Sequence, residues 1–128
     1  MRKILVIDDV QVHLEHAAAI LRGAGFEVQT AGNGREGLEH LATWFADLIF
    51  CDVNMPELDG FEVLDRVRAD PKNGSVPFVF FTAMRFKGVR EEAKHRGAQE
   101  YIVKPYKAEV LVATARRLLN LPAADAGG

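Results

Sequence analysis

Three aspartates stand where short apolar runs stop. Asp8 and Asp9 follow Lys3-Ile4-Leu5-Val6-Ile7, and Asp52 follows Leu48-Ile49-Phe50-Cys51. Carboxylates that tip two buried strands repel one another in a shared, partly dry site and resist ionisation. A divalent cation relieves that repulsion. Three carboxylates, completed by backbone carbonyls and water, suit a hard octahedral ion such as magnesium, which commonly works with phosphate. No His or second Cys near these positions supplies a zinc set. Two more polar residues follow later apolar runs: Thr82 after Phe78-Val79-Phe80-Phe81, and Lys104 after Tyr101-Ile102-Val103. A lysine facing acids places a compact positive charge where a phosphoryl oxygen would sit, and a threonine hydroxyl can donate to another oxygen. A carboxylate held against a metal can attack phosphorus and form an acyl phosphate. The isolated Asp52 is the expected nucleophile, and the adjacent pair is better suited to holding metal.

The elements that must position these residues follow from periodicity. Short apolar runs alternate with stretches of helical spacing: Leu14, Ala18 and Leu21; then Leu38, Leu41, Ala42 and Phe45; then Gly60, Leu64 and Val67. A last helix is expected from about Lys107 to Leu119, with Leu111, Ala115 and Leu118 inward. Five strands separated by helices imply an α/β fold, a parallel sheet covered on both faces. Strands 1, 3 and 4 read as central because their apolar sequence is continuous. Strand 2, Phe26 to Thr30, carries Glu27 and Gln29 and reads as an edge. Right-handed crossovers then favour a doubly wound five-stranded sheet of order 2-1-3-4-5, whose ligands bind outside the carboxyl ends of strands 1 and 3. Asp8, Asp9 and Asp52 lie there, with Thr82 and Lys104 at the same end of the sheet. A helix cap at Asp8 or Asp9, or a loop start at Thr82, would explain each residue singly. Their joint placement favours one site.

Composition narrows the remaining classes. The chain has 128 residues, 48% hydrophobic and 27% charged, with a net charge of -2. That is one ordinary globular domain, with no bulk attraction to nucleic acid. The single cysteine, Cys51, excludes an internal disulfide framework, suits a reducing cytoplasm, and reads as a buried structural thiol inside its apolar run. No stretch has the pattern of a signal peptide, and none approaches the roughly 20 apolar residues of a membrane span. The expectation is a cytoplasmic protein that neither enters a membrane nor binds nucleic acid directly.

Taken together, Ile7-Asp8-Asp9, Asp47-Leu-Ile-Phe-Cys-Asp52-Val-Asn-Met-Pro56-Glu-Leu-Asp-Gly60, Phe81-Thr82-Ala83 and Lys104-Pro105-Tyr106 resemble the receiver domain of two-component response regulators. The resemblance covers about residues 2 to 120 and implies a flavodoxin-like fold. It implies that Asp52 accepts phosphate from the phosphohistidine of a sensor histidine kinase or histidine phosphotransfer protein. Asp9, Asp52 and the backbone carbonyl of Asn54 would ligate Mg2+ directly, and Asp8 through water. Thr82 and Lys104 would hold the phosphoryl oxygens, and the Lys104-Pro105 peptide bond would be cis. Thr82 and Tyr101 match the family's switch pair, which reshapes the surface of helix 4, strand 5 and helix 5 for a downstream protein. The chain would be a signalling switch that catalyses its own phosphorylation and dephosphorylation, not a turnover enzyme. Asn54 and Met84 match the positions that tune phosphate lifetime. An apolar Met84 cannot orient the attacking water, so slow to moderate self-dephosphorylation is expected.

Several features carry rival readings. A receiver-like module that works without phosphate is one. A haloacid-dehalogenase-like aspartyl phosphatase is another, but it wants an Asp-x-Asp pattern after strand 1, where this chain has adjacent acids and no cap domain. Gly32-Asn-Gly34-Arg-Glu-Gly37 fits a dinucleotide-binding fingerprint, yet it follows the edge strand and the chain lacks a second mononucleotide half. A turn that opens helix 2 is the simpler reading. Arg85, Lys87, Arg90, Lys94 and Arg96 on or near helix 4 read as a solvated face before a docking surface for an acidic partner or a second receiver. His13, His16, His40 and His95 read as solvent-exposed. Of the adjacent Trp44 and Phe45, one is expected to be partly exposed. Residues 1–120 are expected to form the receiver, and 121–128, after Pro122 ends the last helix, a flexible tail or the start of a linker. A stand-alone receiver acting by contact is the preferred reading.

Overall fold

The structure is a computed structural model and describes residues 1–122. Of the flexible tail or linker expected at 121–128, residues 123–128 lie outside the described residues. Strands and helices alternate throughout: β1 (Lys3–Ile7), α1 (Gln11–Gly23), β2 (Glu27–Ala31), α2 (Gly34–Thr43), β3 (Leu48–Cys51), α3 (Gly60–Ala69), β4 (Phe78–Thr82), α4 (Lys87–His95), β5 (Glu100–Val103) and α5 (Ala108–Leu118). The five strands are parallel and ordered β2-β1-β3-β4-β5. Every residue of β3 and β4 is buried, whereas β2 alternates from exposed Glu27 to buried Val28, as an edge strand should.

Side chains on a strand alternate between faces, so each central strand feeds two cores. Leu5, Ile7, Ile49, Cys51, Phe78 and Phe80 pack under α2, α3 and α4 with Leu41, Val63, Leu64, Val67 and Ala93. Ile4, Val6, Leu48, Phe50, Val79 and Phe81 pack under α1 and α5 with Leu14, Ala17, Ala18, Leu21, Leu111 and Ala115. No helix among the described residues is long and apolar enough to cross a membrane.

Helix ends show why the elements stop where they do. Asn33 Oδ1 accepts from the Glu36 N–H at 2.8 Å and caps α2, and Asp59 with Glu62 forms a reciprocal capping box on α3. The last helix ends before Pro122. Asn120 turns into the left-handed region (φ 57), and Asn120 and Leu121 N–H donate back to Arg117 and Arg116 carbonyls. That cap stops α5, and Leu121 then packs on the core.

The inward face of α2 differs from expectation. Gly34, Gly37 and Leu41 are buried, Leu38 packs partly, Ala42 is exposed, and the helix ends at Thr43. Spacing 34-37-41 places Ala42 about 100° off that face. Trp44 continues the buried line, with the Lys3 ammonium 5.8 Å above its ring, and Phe45 is 53% exposed. The glycines of the fingerprint-like motif serve packing. A Cβ on Gly37 would overlap the Ile7 side chain, and one on Gly34 would lie 2.7 Å from Val63 Cγ2.

Candidate functional site

Parallel register aligns the carboxyl ends of four strands. Ile7 lies beside Cys51, Cys51 beside Phe80, and Thr82 beside Val103. The hydrogen-bonded ladder then runs one residue past the strands: Asp8 N–H donates to the Ala31 carbonyl at 3.1 Å, Asp52 N–H to Ile7 at 3.0 Å, and Lys104 N–H to Thr82 at 2.8 Å. Backbone pairing therefore fixes the roots of Asp8, Asp52 and Lys104 before their side chains interact.

Carboxylate oxygens of Asp8, Asp9 and Asp52 lie within 4.8 Å of one another. Asp8 and Asp52 are buried and Asp9 is exposed. An all-oxygen cluster of this kind could hold a hard cation. Lys104 Nζ donates to Asp8 Oδ2 at 2.6 Å and to Asp52 Oδ2 at 3.2 Å. Val53 N–H donates to Asp52 Oδ1 at 2.7 Å and Val10 N–H to Asp8 Oδ1 at 2.9 Å. Asp8 thus turns the chain into α1, whose own cap position is Val10. Burial raises the Asp8 carboxyl above its ordinary range despite the opposing Lys104 and Val10 donors. Burial likewise raises the Cys51 thiol, whose Sγ lies 3.2 Å from the Asp52 carbonyl. That cysteine is a packed core group.

Thr82 and Tyr101 are linked through one residue. The Met84 N–H donates to Thr82 Oγ1 at 3.3 Å, and the Tyr101 hydroxyl donates to the Met84 carbonyl at 2.7 Å. Tyr101 is buried, and burial raises its phenol above the ordinary value. Arg90 lies 5.6 Å from its ring centre and donates to its carbonyl at 3.0 Å. Asn54 is exposed beside Asp52, and Met84 is half-buried against the core. The Lys104-Pro105 peptide bond is cis.

Side chains outside the expected set also meet here. His13 Nδ1 lies 3.1 Å from Lys104 Nζ, and His16 stacks on Tyr106 with ring centres 6.1 Å apart. His40 is half-buried and pairs with Gln29 Oε1 at 2.6 Å, so it departs from the expectation of a solvent-exposed ring. For His13 and His16 the sequence signal is helical: α1 starts so soon after the acidic pair that its first turns overhang the strand ends, whereas His40 lies on α2 away from the site. Of the basic residues near α4, Arg85 lies in the preceding loop, Arg90 is held by Tyr101, and Arg96 pairs with Asp65 at 2.9 Å and Glu92 at 2.7 Å. Gly60 closes the motif around Asp52 and lies on the expected face of the third helix. It is also what lets α3 approach the Asp52 turn, because a Cβ there would overlap the Asp52 carbonyl oxygen.

Residues 4–116 match the response regulator receiver domain family, and the chain belongs to that family. It is similar to the transcriptional regulatory protein ZraR of Escherichia coli, with 37% identity over 91% of this chain and 26% of that protein. The response regulator PleD of Caulobacter vibrioides is 34% identical over the same shares. The chain therefore spans about a quarter of the length of these relatives. The structure of the chemotaxis protein CheY4 of Vibrio cholerae superposes with a TM-score of 0.88 at 35% identity, over 92% of this chain and 98% of that one. The chain is thus a receiver domain of the two-component response-regulator type.

Proposed function

We propose that Asp52 is the phosphoacceptor of this receiver and that it takes phosphate from the phosphohistidine of a sensor histidine kinase or histidine phosphotransfer protein. The observation that carries this is the ammonium of Lys104 shared between Asp52 and Asp8 inside a cluster of three carboxylates. Transfer forms an O–P bond to Asp52 as the P–N bond to the donor imidazole breaks, and the freed imidazole nitrogen takes up a proton. Lys104 supplies positive charge to a phosphoryl oxygen, and the Thr82 hydroxyl, an acceptor from Met84 N–H, keeps its own proton to donate to another. Asp9, Asp52 and the Asn54 carbonyl, with Asp8 through water, would hold Mg2+, which would neutralise the carboxylates and the phosphoryl charge.

A phosphoryl group adds about -1.5 to -2 charge and strong acceptor oxygens. Drawing Thr82 towards it disturbs the Met84 N–H, and the carbonyl of the same residue anchors Tyr101. The surface of α4, β5 and α5 carries that change to a downstream protein partner. The domain acts in the cytoplasm as a switch, not a turnover enzyme, and makes no direct contact with nucleic acid. The test is intact mass after incubation with Mg2+ and acetyl phosphate, wild type beside Asp52→Asn. A labile gain of one phosphoryl group in the wild type alone is expected. No gain in a folded, Mg2+-binding wild type would overturn the proposal in favour of an interaction module that works without phosphate.

A further inference from the structure

His13 is placed where it can govern Lys104. It sits in the first turn of α1, with about half its side chain (47%) exposed, 3.1 Å from Lys104 Nζ and 4.0 Å from Asp8 Oδ2. An ammonium has three N–H donors and no acceptor. The short contact therefore requires His13 Nδ1 to accept, which places the ring proton on Nε2. Asp8 Oδ2, Asp52 Oδ2 and His13 Nδ1 then take up all three donors of Lys104. Two of these acceptors are buried carboxylates, and the third is a neutral ring on the open side. With His16, Ala83, Pro105 and Tyr106, the same ring lines a cavity of about 360 Å³ beside Lys104.

From this arrangement we infer that His13 is a positioning residue for phosphoryl transfer, holding the third N–H of Lys104 outward, where an incoming phosphoryl oxygen can take it over. The inference rests on the reading of Asp52 as phosphoacceptor. The Lys104 donor is ionised in all three bonds, but only the two carboxylates answer it with an opposite charge, so the bond to the half-exposed ring is the one most readily exchanged. Without it the third N–H is left to solvent and the ammonium can turn about its own bond, so an incoming phosphoryl oxygen meets no donor already held in place. The step itself makes no covalent bond to His13. One acceptor of Lys104 replaces another.

The test compares wild type, His13→Ala and His13→Asn, since the asparagine Oδ1 occupies nearly the place of the ring Nδ1. Time courses with acetyl phosphate at saturating Mg2+ are followed by intact mass, alongside Mg2+ affinity by calorimetry and the thermal midpoint. His13→Ala is expected to slow phosphorylation by about tenfold with Mg2+ affinity and midpoint unchanged, and His13→Asn to restore most of the rate. An alanine variant as fast as wild type overturns the inference. So does an asparagine variant as slow as alanine, or a loss of rate matched by an equal loss of Mg2+ affinity. A wild type that takes no phosphoryl group refutes the phosphoacceptor reading and this inference with it. A phosphorylated wild type equalled by His13→Ala refutes this inference alone.

Discussion

Replacing Gly60 with alanine asks whether the turn that carries Asp52 is held by close packing. Gly60 opens α3, and its N–H donates to the Val53 carbonyl at 2.8 Å. A Cβ at this position would overlap the Asp52 carbonyl oxygen and lie 2.8 Å from Phe80 Cε1 and 2.9 Å from Val53 Cα. Two of these atoms are backbone. The third belongs to a fully buried ring packed against Phe61, Phe78 and Tyr101. None can yield cheaply, so the penalty should fall at the upper end of the overpacking range, about 3 kcal/mol. For a domain of this size that lowers Tm by roughly 12 °C. Relief by backbone movement would shift Asp52 itself, so phosphorylation should slow as well. Gly88→Ala is the matched control: it lies in α4 with nothing within 4 Å of its Cβ, and should stabilise by about 0.5 kcal/mol. Thermal and urea unfolding by circular dichroism, with m unchanged, would measure both. A Gly60→Ala protein that melts within 2 °C of wild type (roughly 0.5 kcal/mol) and is phosphorylated normally would refute the reasoning.

Three further outcomes are expected. In magnesium-free buffer at pH 7, Asp8→Asn should be more stable than wild type. A carboxyl whose folded value is raised destabilises progressively as pH climbs past its ordinary value, and Asp52 remains to pair Lys104. The gap in urea midpoint should close below about pH 4, and a less stable variant at pH 7 would contradict it. Burial pushes the Tyr106 phenol up to about 12, so wild type should lose stability between pH 10 and about 12 as the unfolded chain ionises first. Tyr106→Phe should lose less over that interval in alkaline urea titrations. Met84→Glu would put an ionisable acceptor beside the phosphoryl site, and self-dephosphorylation of the labelled protein should quicken roughly tenfold. A half-life of seconds for the wild type would sink the expectation of slow loss.

Much of the site was legible because its residues stand at pattern boundaries. A buried strand tolerates no charge in its interior, so Asp8, Asp52 and Lys104 each mark where an apolar run stops, and the neutral hydroxyl of Thr82 is on the last residue of β4. Their position at strand ends could be read without coordinates. Helix faces were less secure where small residues blur the period. On α2 the buried line ran through Gly34 and Gly37, which carry no hydrophobic signal, and Ala42 and Phe45 were drawn inward by hydropathy alone. The same glycines imitated a nucleotide-binding motif because close helix-sheet approach demands the same residue as close approach to a pyrophosphate.

By itself the sequence determined the alternation of strands and helices, the edge character of β2, and hence the end of the sheet where the acids gather. These follow from local burial patterns, which each segment carries in its own residues. Only tertiary structure decided which groups touch. Lys104 meets Asp8 across 96 positions of chain and His13 across 91, because parallel register and the overhang of α1 bring their side chains together. Those contacts depend on distances set by several elements at once, and no local period encodes them.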